Sequence, residues 1–239
     1  NVASSFGFQV DGGTYTAFED DASNTLTYVE GTHIAAITEP TATGYTTTYS
    51  GCTNITVVAN QDQVCTITND DIAPQLTVVK HVTNTHGGTA TAASFEMQVT
   101  GPGSFYSAFP GDEAGTTISL PAGGFSVAES GPGGYGASVG TDCAGTLTIG
   151  ESKTCTITNY DIAPQVTITK EVTNSYGGTL GSTDFPLQLG TANVTSGTTY
   201  TVFDAGTYRV SETPQTGYHY SSISGDCYMG NDALIYSNL

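Results

Sequence analysis

The stretch Cys155-Thr-Ile-Thr-Asn159-Tyr-Asp-Ile-Ala-Pro-Gln-Val-Thr-Ile-Thr-Lys170 joins the end of one sequence repeat to the start of the next. Nearly the same text stands 90 residues earlier, at Cys65–Lys80. A fixed period of this length indicates tandem domains, each long enough to bury a core of its own. The whole chain of 239 residues has room for two or three such domains.

Both halves of this stretch alternate with period two. One face carries Cys155, Ile157 and Asn159 in the first half, and Val166, Ile168 and Lys170 in the second, while Thr occupies most of the opposite face. This alternation predicts two strands that turn the first face to a core and Thr to water. The register directs Asn159 and Lys170 inward, a costly placement for polar groups unless they serve a purpose.

Strand-like runs spaced roughly 8–12 residues apart, with Gly, Pro and Asn turns and no helical periodicity, predict an all-β chain of tandem β-sandwiches. We expect three domains. Residues 1–70 form a repeat that lacks its first strand, residues 71–160 form a complete repeat, and residues 161–239 form a repeat with an atypical or missing last strand. The links from Asn69 to Pro74 and from Asn159 to Pro164 are short, so the domains should sit end to end as a rod.

The charge of the chain excludes several partners. Four Lys and Arg face 22 Asp and Glu, for a net charge of −18, which repels phosphate backbones and anionic lipid. We therefore expect no nucleic acid or membrane-surface partner, and no run of 18 apolar residues predicts a membrane span. The chain begins without Met or a charged-then-apolar leader, as expected of a processed secreted protein or an excerpt of a longer one.

Four of the five cysteines form two pairs at equivalent places in successive repeats. Cys52 precedes Cys65 by 13 residues and Cys143 precedes Cys155 by 12, each pair flanking a turn-rich segment. We predict two hairpin-closing disulfides and an oxidising, extracellular setting at a cell surface or in a filament. Zinc is the competing interpretation, but no CxxC and no neighbouring His support it. The partner of Cys227 is left open.

Three acids recur in register, each six residues before the Tyr of a Gly-Tyr pair: Glu39, Glu129 and Glu212. Each lies on the apolar face of a predicted strand. The chain has three lysines, of which Lys80 and Lys170 occupy one equivalent inward position, whereas Lys153 lies in a polar turn. Each inward lysine is thus predicted to share a core with one of these acids.

Burial lowers the pKa of an amine and raises that of a carboxyl group. A neutral Lys80 amine is a nucleophile, the Asn159 carboxamide is an electrophile, and a protonated Glu129 can shuttle the proton that lets ammonia leave. Contact within the fold supplies the effective molarity for a Lys–Asn amide. The alternative is an unreacted buried salt bridge with an Asn beside it.

Three segments together resemble the CnaB-type, SpaA-like (prealbumin-like) repeats of bacterial surface proteins and pilins: Val166-Thr-Ile-Thr-Lys170, Tyr208-Arg-Val-Ser-Glu212 with its following Gly217-Tyr218, and Cys155-Thr-Ile-Thr-Asn159. The resemblance covers essentially the whole chain. It implies sandwiches of transthyretin-like or Ig-like topology and self-generated isopeptide bonds with a catalytic acid.

Carried over by position, the resemblance implies Lys80, Glu129 and Asn159 in the middle repeat. The first repeat has Glu39 and Asn69 but no lysine, and the third has Lys170 and Glu212 but no matched asparagine. Asn238 is the candidate replacement. No LPxTG-type sorting signal is present.

Two further kinds of site have weaker signals. Asn54-Ile-Thr56 and Asn193-Val-Thr195 fit the N-glycosylation acceptor, with O-glycans on exposed Thr as the alternative. Acidic residues at 19–21 and 70–71 could bind calcium, but they lack EF-hand spacing and such loops are usually solvated. No other cofactor is predicted.

These features favour a structural surface protein, a stalk or pilus-like filament subunit. Copies would polymerise head to tail if the tail 232–239 of one filled the strand gap in the first repeat of the next; the alternative is an excerpt of a longer array. The competing function is an adhesin whose loops bind a host or glycan ligand through aromatics such as Tyr218, Tyr220 and Tyr228. An enzyme acting on an external substrate is not expected, because the recurring acids point into the core.

Overall fold

The computed structural model describes residues 2–229 in full and the backbone of residues 235–238. The described chain is built from β-strands, with single 3-10 turns at Ala3–Ser5, Ala92–Ser94, Pro102–Ser104, Thr141–Cys143 and Ser182–Asp184. No helix in the described part is long and apolar enough to cross a membrane.

The middle domain is a complete sandwich of eight strands. They are β7 (Gln75–Thr83), β8 (Glu96–Gly101), β9 (Phe105–Pro110), β10 (Thr116–Ser119), β11 (Gly123–Ser130), β12 (Tyr135–Val139), β13 (Ala144–Leu147) and β14 (Ser152–Asp161). One sheet has the order β10-β7-β14-β12 and the other β13-β11-β8-β9. The central pair β7 and β14 is parallel, with Lys80 opposite Ile157, and the remaining pairs are antiparallel.

The period-two pattern decides which side chains enter this core. Leu76 and Val78 of β7 and Ile157 of β14 are buried from one sheet, and they pack against Met97 and Val99 of the other. The intervening Thr residues of these strands are more exposed. Sequence alternation therefore predicted the inward face of the central strands, as the resemblance predicted the all-β sandwich.

From residue 2 onward, the first domain has six strands: β1 (Gly7–Val10), β2 (Thr16–Ala17), β3 (His33–Thr38), β4 (Tyr45–Ser50), β5 (Thr53–Thr56) and β6 (Thr66–Asp71). Four form the sheet β2-β1-β3-β5, and β4 pairs with β6 alone. β6 corresponds to β14, 90 residues later, but in the described residues it has no parallel neighbour equivalent to β7.

In the described residues, the third domain has seven strands: β15 (Gln165–Thr167), β16 (Leu187–Leu189), β17 (Ala192–Val194), β18 (Thr199–Thr201), β19 (Thr207–Glu212), β20 (Cys227–Met229) and β21 (Ile235–Asn238). One sheet has the order β17-β16-β19-β21-β20, and β15 pairs with β18. The sequence predicted a strand reaching Lys170, but β15 ends at Thr167. In the described residues β15 pairs only with β18. No second strand lies beside β15 in the way that β14 lies beside β7.

Both predicted disulfides are present, with Cα–Cα distances of 4.5 Å in Cys52–Cys65 and in Cys143–Cys155. The prediction that they close hairpins was wrong. Cys143 immediately precedes β13 and Cys155 lies on β14, and these two strands belong to opposite sheets. Each bridge therefore ties one sheet to the other, because the turn-rich segment crosses between layers. Cys227, the counterpart of Cys143, is unpaired within the described chain.

Neighbouring domains contact each other at their ends. The N–H of Ile72 donates to the Gly44 carbonyl at 2.8 Å, and the Ile72 carbonyl accepts from Gly150 at 2.7 Å. A Cβ on Gly44, which has a φ of +82°, would collide with Ile149. At the next junction, the Ala205 N–H donates to the His86 carbonyl at 2.7 Å.

Candidate functional site

Lys80 is fully buried in the middle domain. It lies on β7, and its Nζ donates to Oδ1 of Asn159 at 2.7 Å. Asn159 is 3% exposed and lies on β14, the parallel neighbour of β7. The pairing of the first and last strands of the domain therefore puts an amine against a carboxamide.

The opposite sheet supplies an acid and an aromatic ring to the same amine. Oε2 of Glu129, on β11, lies 3.4 Å from the Lys80 Nζ, and that oxygen has no hydrogen-bond partner of good geometry. The ring centroid of Phe95 lies 4.5 Å from the same Nζ. Acid, amine and carboxamide are thus brought together at the interface between the sheets.

This environment changes the protonation of the amine. Burial lowers the pKa of Lys80 below its ordinary 10.5, because a charged amine loses its hydration, while the neighbouring Glu129 acts in the opposite direction. The net effect is a lowered pKa, which enlarges the neutral fraction of the amine. A neutral amine carries the lone pair that attack on a carboxamide requires.

The first domain contains the acid and the carboxamide without an amine. Nδ2 of Asn69 donates to Oε1 of Glu39 at 2.7 Å, and the hydroxyl of Thr47 donates to Oδ1 of Asn69 at 2.7 Å. Oε2 of Glu39 is buried and has no hydrogen-bond partner. Asn69 itself is only half-buried, because the strand that would cover it is absent from the described residues.

The third domain contains the amine and the acid. Nζ of Lys170 lies 2.8 Å from Oε2 of Glu212, and the ring centroid of Phe185 lies 4.6 Å from the same amine. Lys170 is 18% exposed, whereas Lys80 is completely buried. This amine therefore forms a close ion pair with the acid.

The backbone of Asn238 does not lie where the resemblance would need it. β21 pairs with β19 and sets Asn238 opposite Thr207, whereas Asn159 lies on the strand beside Lys80. β21 thus takes the place of β13 rather than that of β14. This placement does not support Asn238 as the partner of Lys170, and its side chain lies outside the described residues.

A recurring aromatic pair under the lysine position was missed in the sequence. Phe95 meets Tyr135 edge to face at 5.5 Å, and Phe185 meets Tyr218 in the same way at 5.2 Å. Phe6 and Tyr45 form the corresponding pair of the first domain. The signal was present, because a Phe and a Gly-Tyr recur in each repeat.

Tyr218 also bears on the adhesin alternative. Its hydroxyl donates to Oδ1 of Asn174 at 2.8 Å and accepts from the N–H of Leu180 at 3.1 Å. Tyr135 makes the same two contacts in the middle domain, with Asn84 and Ala90. Tyr218 is therefore a structural residue rather than a free loop aromatic. Tyr220 and Tyr228 are exposed.

Asp161 is a second residue that sequence reasoning missed. Its buried carboxylate accepts backbone N–H groups from Thr85 and His86 at 2.6 Å and from Gly88 at 2.9 Å. Desolvation opposes its ionisation, but these donors outweigh it and lower the pKa of Asp161 to about 2. The end of β14 is thereby fastened to the loop that contacts the third domain.

The remaining predicted sites lie on the surface. Asn54 and Asn193 are exposed, so both glycosylation acceptors are accessible and stay predictions. The acidic residues at 19–21 and 70–71 are exposed as well. In the part of the chain that the structure describes, no three His, Cys, Asp or Glu residues form a group that could hold a metal ion.

Comparison with known proteins identifies the repeat. The prealbumin-like fold domain of the SpaA type matches residues 70–158 and 161–234, which together exceed half of the chain. A solved structure, the Bacillus anthracis TIE protein, is similar over 88% of this chain and 42% of that chain, at 15% identity and a TM-score of 0.47. None of the curated proteins matches. The chain therefore belongs to the SpaA-type prealbumin-like fold domain family, whose domains are structural modules typical of surface and pilus proteins.

Proposed function

We propose that this chain is an extracellular structural module of a surface stalk or filament, and that its middle domain locks itself with an amide bond between Lys80 and Asn159. The observation that carries the proposal is the fully buried Lys80 amine 2.7 Å from the Asn159 carboxamide, with Glu129 at 3.4 Å. Membership of a family of surface modules supports the extracellular setting. The two disulfides support it further, because such bonds persist in oxidising compartments.

The reaction needs one attack and one proton transfer. The neutral Nζ of Lys80 attacks Cγ of Asn159, while the protonated Glu129 donates to the developing oxyanion. Glu129 then takes up the proton that Nζ loses and passes it to Nδ2, the bond between Cγ and Nδ2 breaks, and ammonia leaves. One amine and one primary amide become one secondary amide and one ammonia.

The first domain illustrates a contact that this proton relay requires. There Glu39 accepts a hydrogen bond from Nδ2 of Asn69, the nitrogen that would depart as ammonia. In the middle domain the equivalent acid instead faces the amine. The two arrangements together support a role in which the acid at this position reaches both the attacking and the leaving nitrogen.

The position of the proposed bond would let it protect the domain against stretching force. Residues 80 and 159 lie 79 positions apart in sequence, near the two ends of the middle domain. A stretching force applied through the linkers would be transmitted by the amide from β7 directly to β14, so the chain between these strands would not bear it. The domain could then resist force and proteolysis, because the extended states of that segment are denied to it.

An intact-mass measurement on the reduced chain tests the proposal. We expect a mass lower than that of the sequence by one ammonia, located by proteolysis to a branched peptide joining Lys80 to Asn159. Glu129→Gln should retain the ammonia, whereas the matched control Glu151→Gln, at a partly exposed acid paired with Lys153, should lose it as the parent does. If the parent chain instead has the full mass calculated from its sequence, no amide has formed and Lys80 makes only a buried salt bridge.

Head-to-tail association of copies is a separate element of the proposal. It draws support from the second edge of β6, which has no strand beside it among the described residues. The suggested filler, residues 232–239, overlaps β21, which pairs with β19 and β20 in its own domain. Tail exchange would require β21 to leave this sheet. Light scattering on the chain with and without residues 231–239 tests the idea, since association that survives the deletion cannot use the tail.

A further inference from the structure

The linker between the middle and third domains is anchored at both of its ends. On the side of the middle domain, the Ile162 N–H donates to the Gly134 carbonyl at 2.8 Å. On the side of the third domain, the Pro164 carbonyl accepts from the Val202 N–H at 2.9 Å. Only Ala163 lies between these two anchored residues. Because one residue can still rotate about its φ and ψ angles, the anchors by themselves permit a hinge between the domains.

A second connection between the two domains is made by the loop of residues 84–88, which we call the clasp loop. The His86 carbonyl accepts from the Ala205 N–H at 2.7 Å, and Nδ1 of the His86 ring lies 2.6 Å from the Phe203 carbonyl. Because a carbonyl only accepts, Nδ1 must carry the proton of this hydrogen bond. The rings of His86 and Phe203 also meet edge to face, with centroids 5.2 Å apart. One residue of the clasp loop therefore holds the turn 203–205 through its backbone and its side chain.

Gly87 lets the clasp loop approach this turn closely. Its φ of +83° lies in the left-handed region that favours glycine. A Cβ added at Gly87 would lie 3.0 Å from the backbone nitrogen of Ala205 and 3.3 Å from its Cβ. A larger side chain at this position would therefore force the loop and the turn apart.

Asp161 holds the clasp loop from inside the middle domain. Its buried carboxylate accepts the backbone N–H groups of Thr85 and His86, each at 2.6 Å, and that of Gly88 at 2.9 Å. Hydrogen bonds to an ionised acceptor are stronger than those between neutral groups. Asp161 is also the last residue of β14, directly before Ile162. One side chain thus fixes the clasp loop to the start of the linker.

The third domain contains an undocked copy of the same loop at residues 174–178. The hydrogen bond from Tyr218 to Asn174 braces it, as the bond from Tyr135 to Asn84 braces the clasp loop. Tyr176, at the position of His86, is fully exposed. The loop frame therefore repeats without docking, whereas the contacts made by His86 are specific to the junction of the middle and third domains.

We infer that the clasp loop is a docking surface for the turn 203–205 and locks the middle and third domains into one rigid body, with Asp161 holding the loop in its docking shape. Domains joined only by a short linker are expected to move relative to each other. A second attachment removes that freedom, because rotation at Ala163 would have to break the contacts of His86. The inference does not depend on the amide bond proposed between Lys80 and Asn159.

Residual dipolar couplings of the isotope-labelled full chain in an alignment medium supply the test. In the parent chain, the backbone amides of the middle and third domains should fit one alignment tensor. Gly87→Leu would direct its side chain at Ala205 and separate the clasp loop from the turn. The third domain should then align with a tensor of different orientation and smaller magnitude than that of the middle domain.

Gly177→Leu is the matched control, at the equivalent position of the undocked loop. Gly177 has a φ of +85°, and a Cβ added there would meet no atom of the described chain within 4 Å. The two substitutions therefore impose the same backbone strain, but only Gly87→Leu disturbs the contact between domains. Gly177→Leu should retain the single tensor. Amide chemical shifts in the strands of each domain report whether both variants stay folded.

Two results would overturn the inference. Different tensors for the two domains of the parent chain would mean that they move independently. A single tensor in folded Gly87→Leu would mean that the angle is fixed without the clasp loop. If Gly87→Leu does not fold, His86→Ala decides, because it removes the ring contacts without adding bulk or strain. It should separate the tensors, whereas Tyr176→Ala should not.

Asp161→Asn tests the part assigned to the carboxylate. The amide keeps the size of the side chain but loses its charge, and its nitrogen cannot accept a hydrogen bond. The clasp loop should loosen, so the tensors of the two domains should separate as they do in Gly87→Leu. A single tensor in folded Asp161→Asn would contradict the holding role of Asp161.

Discussion

The middle and third domains each place a glutamate beside a lysine at equivalent positions, but the two lysines differ in burial and in their contacts. In the middle domain β14 lies against β7, the lysine is fully buried, and the amine contacts the carboxamide at 2.7 Å and the acid at 3.4 Å. In the third domain no such strand covers β15 in the described residues, and Lys170 is 18% exposed with its acid at 2.8 Å. The last strand therefore does two things, since it delivers the electrophile and excludes water from the amine.

The largest effect expected in this comparison follows from Lys80→Met, which keeps much of the side-chain volume. It removes the amine, and with it the proposed amide bond, and leaves the partly buried Glu129 and the buried Asn159 without their partner, at a cost of at least about 3–5 kcal/mol in the free energy of unfolding. Denaturant titration of the full chain measures it. Lys153→Met, at a partly exposed lysine, should change stability by less than about 1 kcal/mol. Equal losses from the two variants would contradict the assigned role of burial.

Lys170→Met extends this test to the third domain, and its stability is measured by the same denaturant titration. Because Lys170 retains contact with water and has no carboxamide beside it among the described residues, its removal should cost less than that of Lys80. A larger loss at Lys170 would break the comparison between the two domains.

Removal of a disulfide should have the next largest effect. Replacing both Cys143 and Cys155 by Ala frees the segment that crosses between the sheets and should lower stability by about 2–4 kcal/mol. The equivalent replacement of Cys52 and Cys65 provides the matched variant in the first domain. Thermal unfolding of the three chains gives the comparison, and unchanged transitions after both replacements would show that the bridges are dispensable.

The rate of amide formation should depend on pH through the Lys80 amine. Below the folded-state pKa of Lys80, which burial sets lower than 10.5, the neutral fraction rises about tenfold per pH unit. We therefore expect ammonia loss to accelerate as pH increases for as long as Glu129 holds the proton that the relay requires. Refolding unreacted chain at a series of pH values, with quenching and intact mass, measures the profile. A rate independent of pH would argue against attack by a neutral amine.

The smallest expected effect is a change in the free energy of unfolding that is confined to acidic pH. The pKa of Asp161 is about 2 in the folded chain against an ordinary value of 3.8, so its ionised form stabilises the fold above pH 3.8. That contribution is lost as pH falls from 3.8 towards 2. Asp161→Asn should flatten the stability profile in this window, measured by urea titration at several pH values. An exposed acid of the same kind, replaced as Asp142→Asn, provides the control.

Much of the architecture could be predicted because alternation reports directly on burial. The 90-residue period aligned Lys80 with Lys170 and Glu129 with its counterparts, and the cysteine spacing correctly paired four cysteines. The inward orientation of Lys80 and Asn159 followed from the period-two alternation of apolar residues in their strands. These features are local or periodic, so a single sequence contains them.

Other features depended on which strands become neighbours. The sequence could not show that the disulfides cross between sheets, that β15 ends before Lys170, or that β21 pairs with β19. Nor did it show Phe95 under the amine, although Phe95 recurs with the repeat. Each is a relation between segments distant in sequence, and strand pairing depends on the whole set of available partners.

By itself, the sequence determined the repeat, the strand faces, the cysteine pairs and the identity of the acid, amine and carboxamide. Only the tertiary structure decided which of these groups meet. The middle domain assembles all three, the first holds a carboxamide and an acid, and the third holds an amine and an acid. The physical reason is that reactivity here requires contact within a few ångströms and exclusion of water, and both come from the parallel pairing of β7 with β14 rather than from either strand alone.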